Sequence, residues 1–205
     1  MFLSVINNRF ERVIQQSFVK LLSTRGYQRK DNQFYLKSGR VGKLVRIMRD
    51  PEHSHYRQVA IFTIHVKISS DDFWEMNYPD KDVSILPSQD NRYYTFHLPL
   101  GKFYNKLGGD QWLALDATVP EQTMIHYLRD LLQTRVLPYL DRINSIDDIL
   151  NQLEAPSALR MEMLAWLGLR DEAYAELTNL IASRHQKNFR IHMVNYAKRI
   201  GIIGK

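Results

Sequence analysis

The 205-residue sequence contains no cysteine. That removes disulfide bridges, a thiolate nucleophile and any zinc site built on cysteine, and it suits a reducing compartment, so a cytoplasmic protein is expected. Long apolar runs are missing as well. The N-terminal stretch MFLSVINNRFER has six residues before Asn7 and Arg9 interrupt it. That is too few for the apolar region of a secretory leader, and no segment approaches the about eighteen apolar residues of a membrane-spanning helix. No membrane attachment is expected. Also missing are a glycine-rich phosphate loop, a dinucleotide fingerprint and a serine nucleophile motif. Catalysis therefore has no recognisable signature, and no cofactor is expected.

Acid is scarce at both ends. Residues 1–49 hold 11 Lys and Arg against 2 acids, residues 50–183 hold 11 against 20, and residues 184–205 hold 6 against none. Two basic ends thus flank an acidic middle, which permits nucleic acid or an acidic protein as partner, or a fold in which the ends pair with the middle.

What is present is a core-forming pattern, with 44% hydrophobic and 24% charged residues. Phe10, Val13, Ile14, Phe18, Leu21 and Leu22 recur at helical spacing, and Gly26 stands where a left-handed cap would end the helix. QFYLK (33–37) and KLVRIM (43–48) flank turn residues and read as a hairpin, and VAIFTIHVKIS (59–69) is the clearest strand. Residues 70–92, with Pro79 and Pro87, read as a long surface connection, after which YYTFHL (93–98) alternates again. A long helix is expected from Pro120, with Ile125, Leu128, Leu131, Leu132 and Val136 as its buried stripe and Pro138 bending or ending it. Ser145 and Asp148 have N-cap spacing, and from Ser157 onward the pattern is helical, beginning with a hairpin turned near 167–171. The expected fold is α+β: an antiparallel sheet flanked by an N-terminal helix and a long helix over residues 1–154, with a helical extension, 155–205, packed on that body.

The segments LLSTRGYQRKDNQFYL, FTIHVKI, FHLPLGKFYNKLGGDQWLAL and RVLPYLDRINSIDDIL, in that order, resemble the bacterial domain-of-unknown-function family 4304. The resemblance spans about residues 8 to 154 and implies the fold of that part; it carries no reaction, cofactor or catalytic residue.

Strand periodicity supplies the candidate binding surface. With Phe34, Val45, Ile47, Phe62, Ile64 and Phe96 inward, the opposite face presents Tyr35, Arg46, His65, Lys67, Tyr93 and His97. Cations among aromatics bind phosphate, stack bases or meet a protein partner, and His65 and His97 form an acid–base pair if they meet across strands. A second candidate is the basic tail, Arg184, Lys187, Arg190, Lys198 and Arg199, with Phe189, Ile191, Val194 and Tyr196 expected to dock it. No metal site is expected: His53 and His55 form a loop pair without a third ligand, and His185 and His192, read as two turns apart on one helix, are too distant to chelate together. Gly108 and Gly109 read as a tight turn anchoring a buried Trp112, whose truncation is then expected to cost about 3–5 kcal/mol.

These features point to a non-enzymatic cytoplasmic interaction protein, an immunity-like or accessory binder of a protein partner. The alternative is a nucleic-acid-binding protein using the basic ends; the third reading is a hydrolase or nuclease on the polar sheet face.

Overall fold

The computed structural model describes residues 2–50, 59–78, 94–104 and 108–204, with side chains from Val5 onward. His53, His55 and Tyr93 lie outside the described residues, as do Pro79 and Pro87. The fold is α+β, and the chain divides into two compact units: Met1–Asp71 with Ile85–Asn144, and Asp72–Ser84 with Ser145–Lys205. The division thus falls earlier than 154/155. The Arg160 guanidinium donates to the Leu150 carbonyl, tying the segment after Ser145 to the helices that follow.

In the first unit the apolar stripe near the N-terminus forms α1 (Phe2–Ile14), which passes through a π-helical turn, Gln15–Val19, into α2 (Lys20–Ser23). Phe10, Val13, Ile14, Phe18 and Leu22 are fully buried. Gly26 ends the helix at φ 83°, and the Tyr27 N–H returns to the Leu22 carbonyl at 3.1 Å. The sheet comprises β1 (Gln28–Lys30), β2 (Gln33–Ser38), β3 (Val41–Arg49), β4 (Ala60–Ser70), β5 (Phe96–Pro99) and β6 (Leu113–Leu115). The first five are antiparallel neighbours in sequence order. β3 occupies one edge of β4 from Phe62 to Ser70, so β5 at His65–Ile68 and β6 at Ala60–Phe62 share its other edge.

The α1 helix covers the face carrying Phe62, its Phe10 ring meeting Phe62 edge-on at 5.2 Å, while Phe18 stacks on Phe34 at 5.8 Å. α1 also packs on the helix that follows Pro120. That helix runs as α4 (Glu121–Leu131), a π-helical turn Leu132–Val136, and α5 (Leu137–Asp141). Pro138 therefore does not end it: the proline falls in the first turn after the π-helical widening, where its missing N–H and its ring are accommodated.

Residues 71–77, expected as part of a loop, form a helix, α3 (Asp71–Asn77). Trp74 is buried there and its ring lies 4.3 Å from that of Tyr78, an i,i+4 aromatic pair that supports one helical turn.

The second unit holds α6 (Ile146–Gln152), α7 (Ala158–Trp166), α8 (Arg170–Ala182) and α9 (Lys187–Arg199). Ser145 and Asp148 form a reciprocal capping box on α6. Gly168, at φ 80°, turns α7 into α8. The tail helix docks within this unit: Met193 and Ala197 are buried with Met161, Leu177 and Leu180, and Phe189 and Tyr196 pack at the margin. Ile191, expected in that face, is 50% exposed, because the buried stripe runs through 189, 193 and 197, half a turn away. Among the described residues no helix is long and apolar enough to cross a membrane.

Candidate functional site

Antiparallel register decides which side chains converge. Arg46 on β3 lies opposite His65 on β4, and Lys67 on β4 lies opposite His97 on β5. Directly opposed residues have Cβ atoms about 5 Å apart and share a face, so four nitrogen-bearing side chains from three adjacent strands are brought together. They line one pocket of about 400 Å³, whose other walls are Met48, Tyr94 and Phe96. The His65 and His97 ring centroids are 4.4 Å apart.

Each wall has a local cause. β5 begins only at Phe96, so the expected alternation through 93–98 breaks before it. Tyr94, expected on the covered face, instead lies under Lys67, whose Nζ sits 4.7 Å from the ring centroid. The Tyr94 hydroxyl is buried and has no hydrogen-bond partner among the described residues. Burial pushes the Tyr94 phenol up to about 12. Phe96 lies opposite the buried Ile68, on the inward face expected for it; it is half-exposed and borders the pocket.

The turn at Gly108 and Gly109 supplies one further group. Both glycines have positive φ, 65° and 124°. The Gly101 N–H donates to the Gly109 carbonyl at 2.9 Å, an approach so close that a Cβ on residue 101 would lie 2.3 Å from that oxygen. Thr63 Oγ1 donates to the Gln111 carbonyl at 2.9 Å. This closure sets Asp110 Oδ1 2.7 Å from His65 Nε2. A carboxylate only accepts, so Nε2 carries the proton of that bond and the imidazole orientation is fixed.

The turn does not anchor Trp112. That residue is 45% exposed, and the anchoring is done by Leu115, fully buried where β6 pairs with β4. Leu113 and Leu115 share one face of β6, and of the two Leu115 is the fully buried one.

The electrostatics are those of crowded cations. Burial first, then the charge of Arg46, lowers the Lys67 ammonium from its ordinary value. His97 is also held below the usual histidine value, by desolvation of its inner part, then by His65 and Lys67, with Asp110 pulling weakly the other way. Tyr35 is on the same face but apart from the pocket, two strands from Lys67 with Leu44 between them. Its hydroxyl side lies over Gly42, where a Cβ would meet it at 2.9 Å, and burial, then Asp71, raises its phenol.

The basic ends are largely occupied. Arg9 and Arg12 pair with Glu121 at 3.2 and 2.6 Å, Arg25 with Asp141 at 2.7 Å, Arg29 with Glu11 at 3.2 Å and Lys37 with Asp71 at 2.9 Å. In the tail, Arg184 lies over Phe189 and Arg199 over Tyr196, while Arg190 Nε donates to the Arg184 carbonyl. Lys187 and Lys198 are exposed. His185 precedes α9 rather than sharing it with His192, because the helix starts at Lys187. Among the described residues no group of three or more His, Asp or Glu side chains is placed to hold a metal ion.

Of the face expected from the sequence, the structure brings together Arg46, His65, Lys67 and His97, and Asp110, Tyr94 and Met48 lie around them without having been expected there. The signal for Asp110 was visible, an acid directly after two glycines, but its target depends on β5 and β6 sharing one edge of β4. No curated protein and no solved structure matches the chain. The family model described as "Domain of unknown function (DUF4304)" matches residues 18–142. This stretch contains the whole sheet and every pocket residue, and the chain belongs to that family.

Proposed function

We propose that the protein is a non-enzymatic binding protein that recognises an anionic group of its partner in the sheet-face pocket. The observation carrying this reading is the placement of Arg46 and Lys67 on neighbouring strands around one pocket with His65 and His97. Burial, then the charge of Arg46, disfavours the Lys67 ammonium, and an anion seated beside the two cations opposes both effects. The scaffold suits recognition, since side chains on paired strands are held more rigidly than side chains on loops. An acidic protein partner in a reducing, cytoplasmic setting fits both the pocket and the absence of cysteine. A hydrolytic role is the second reading, favoured by the His65–Asp110 hydrogen bond beside His97. The nucleic-acid reading draws less support, because the N-terminal cations are paired with acids.

The test follows the imidazole NMR signals of His65 and His97 while hexaglutamate, sulfate and phosphate are added at constant ionic strength. At least one anion is expected to shift both signals saturably, and the Arg46→Gln/Lys67→Gln double variant is expected to lose the response. If no anion shifts them, or if mixed-sequence DNA binds through the tail with a steep salt dependence, the reading fails.

A further inference from the structure

We infer that the group seated in the sheet-face pocket is a carboxylate carried on an apolar body and held by the fork of the Arg46 guanidinium. This rests on the anion-binding reading above and narrows it to one ligand chemistry. The first ground is which donors the pocket has left to offer. His65 commits its Nε2 proton to Asp110, 2.7 Å away. Lys67 has a partner of its own, and its ammonium also lies 4.7 Å from the centroid of the Tyr94 ring. Arg46 is half-buried, and its guanidinium makes no hydrogen bond and no ion pair among the described residues. The vacant donor of the pocket walls that carries a fixed charge is therefore one fork with one charge.

The second ground is the match of that fork to its acceptor. A guanidinium presents two parallel N–H groups at the spacing of the two coplanar oxygens of a carboxylate, so one group of each kind satisfies the other in both charge and hydrogen bonds. A phosphate monoester brings up to two charges and three terminal oxygens, more than one fork satisfies. The Asp110 carboxylate, held beside His65 at the pocket, opposes the additional charge as well.

The third ground is room for a body. The pocket holds about 400 Å³, whereas a water takes about 30 Å³, so a carboxylate alone leaves most of the space to what carries it. Met48 follows Arg46 by two residues on β3, which sets both side chains on one face of the strand. Phe96, where β5 begins, borders the same pocket. Both are half-exposed, so apolar surface stands open to solvent beside the fork. Covering it adds affinity in proportion to the area removed from water, and only an apolar body does so without leaving polar groups unpaired. This chemistry has two sources, a free acid with a ring or aliphatic body and the C-terminus of a polypeptide that ends in an apolar residue.

The experiment uses the full chain at neutral pH, with benzoate, acetate, benzamide, phenyl phosphate and N-acetyl-phenylalanine compared by calorimetry at fixed ionic strength. Benzoate is expected to bind at least about tenfold more tightly than acetate, which lacks the ring, and than benzamide, which lacks the charge, and no more weakly than phenyl phosphate. Arg46→Lys keeps the charge without the fork and is expected to lose about tenfold for benzoate with an unchanged circular dichroism spectrum. Met48→Ala is expected to lose a few-fold for benzoate and nothing for acetate. N-acetyl-phenylalanine binding above benzoate assigns a chain terminus as the source, the reverse order assigns a free acid, and either supports the proposal. The ligand series on the unaltered chain decides the matter even where a variant fails to fold. Tighter binding of phenyl phosphate than of benzoate, or wild-type benzoate affinity in Arg46→Lys, overturns the carboxylate assignment while leaving anion binding intact. Benzoate binding no more tightly than acetate overturns the apolar body. Failure of every anion to bind overturns both this proposal and the reading on which it rests.

Discussion

Glu176 in the helical unit and the Arg46–Lys67 pair in the sheet-bearing unit are both polar groups withdrawn from water, and they differ in what surrounds them. Glu176 accepts from the Ser157 N–H at 2.9 Å and has Arg160 Nε 3.5 Å away, so its carboxylate caps the start of α7 and meets a cation. Its burial is explained by the fold that it helps to hold. At the sheet-face pocket, burial and then the charge of Arg46 disfavour the Lys67 ammonium, and Asp110 is hydrogen-bonded to His65. Among the described residues Glu176 is the single buried polar side chain of the helical unit, whereas Ser17, Lys43, Thr63, His65, Lys67, Ser70 and Thr95 are buried in the sheet-bearing one. Lys43 has a structural role of the Glu176 kind, its Nζ donating to Asn144 Oδ1 at 3.0 Å on the covered face. The contrast sets polar burial that holds a fold beside polar burial that, on the proposed reading, serves recognition.

Removing Glu176 tests the first half with the largest expected effect. Glu176→Ala leaves the Ser157 N–H without its acceptor and removes the carboxylate beside Arg160, whose guanidinium keeps only the Leu150 carbonyl, and it is expected to cost about 2–4 kcal/mol in urea unfolding. Glu176→Gln, which keeps the acceptor, is expected to cost less. A loss under about 0.5 kcal/mol for the alanine variant means the carboxylate is not structural.

Arg46→Met tests the second half and carries the opposite sign. It relieves the repulsion of Lys67 and replaces a half-buried cation with an apolar side chain of similar length. Stability is expected to stay level or rise by about 0.5–1 kcal/mol while anion binding is lost, the usual trade between a site and its scaffold. A drop of more than about 1 kcal/mol in thermal unfolding places Arg46 with Glu176 instead and removes the contrast.

The same distinction explains what was legible in the sequence. Elements whose signal is a local period were readable: the stripe from Phe10 to Leu22, the alternation of 59–69 and the Ser145 cap all depend on residues within a few turns. The pairing of Arg46 with His65 was also within reach, because a hairpin and one long strand bring them together once the faces are assigned. What was not legible depends on long-range edges and on short segments. β1 is three exposed residues, and α3 is seven residues in a stretch dominated by turn formers. Asp110 reaches His65 only because β5 and β6 divide one edge of β4 and the intervening loop closes through Gly101 and Gly109. No residue within that loop encodes the other end of the contact.

The smallest effect concerns two tryptophans, one in each unit. Trp74 on α3 is 8% exposed and Trp112 beside the glycine turn is 45% exposed. Each lies within two residues of an acid, Glu75 and Asp110 respectively, and composition alone treats them alike. Truncation removes contact in proportion to the apolar surface that folding has covered, so Trp74→Ala is expected to cost about 3–5 kcal/mol and Trp112→Ala only about 1–2 kcal/mol. If the turn serves Asp110 rather than the tryptophan, Trp112→Ala also leaves the closure intact: Gly101 still donates to Gly109 and the His65 ring keeps its hydrogen bond. The His65 imidazole signal is then unchanged in the variant, whereas a substitution that opens the turn, such as Gly101→Val, shifts it. A Trp112→Ala loss equal to that of Trp74→Ala, together with a displaced His65 signal, returns the turn to an anchoring role and detaches Asp110 from the argument for the pocket.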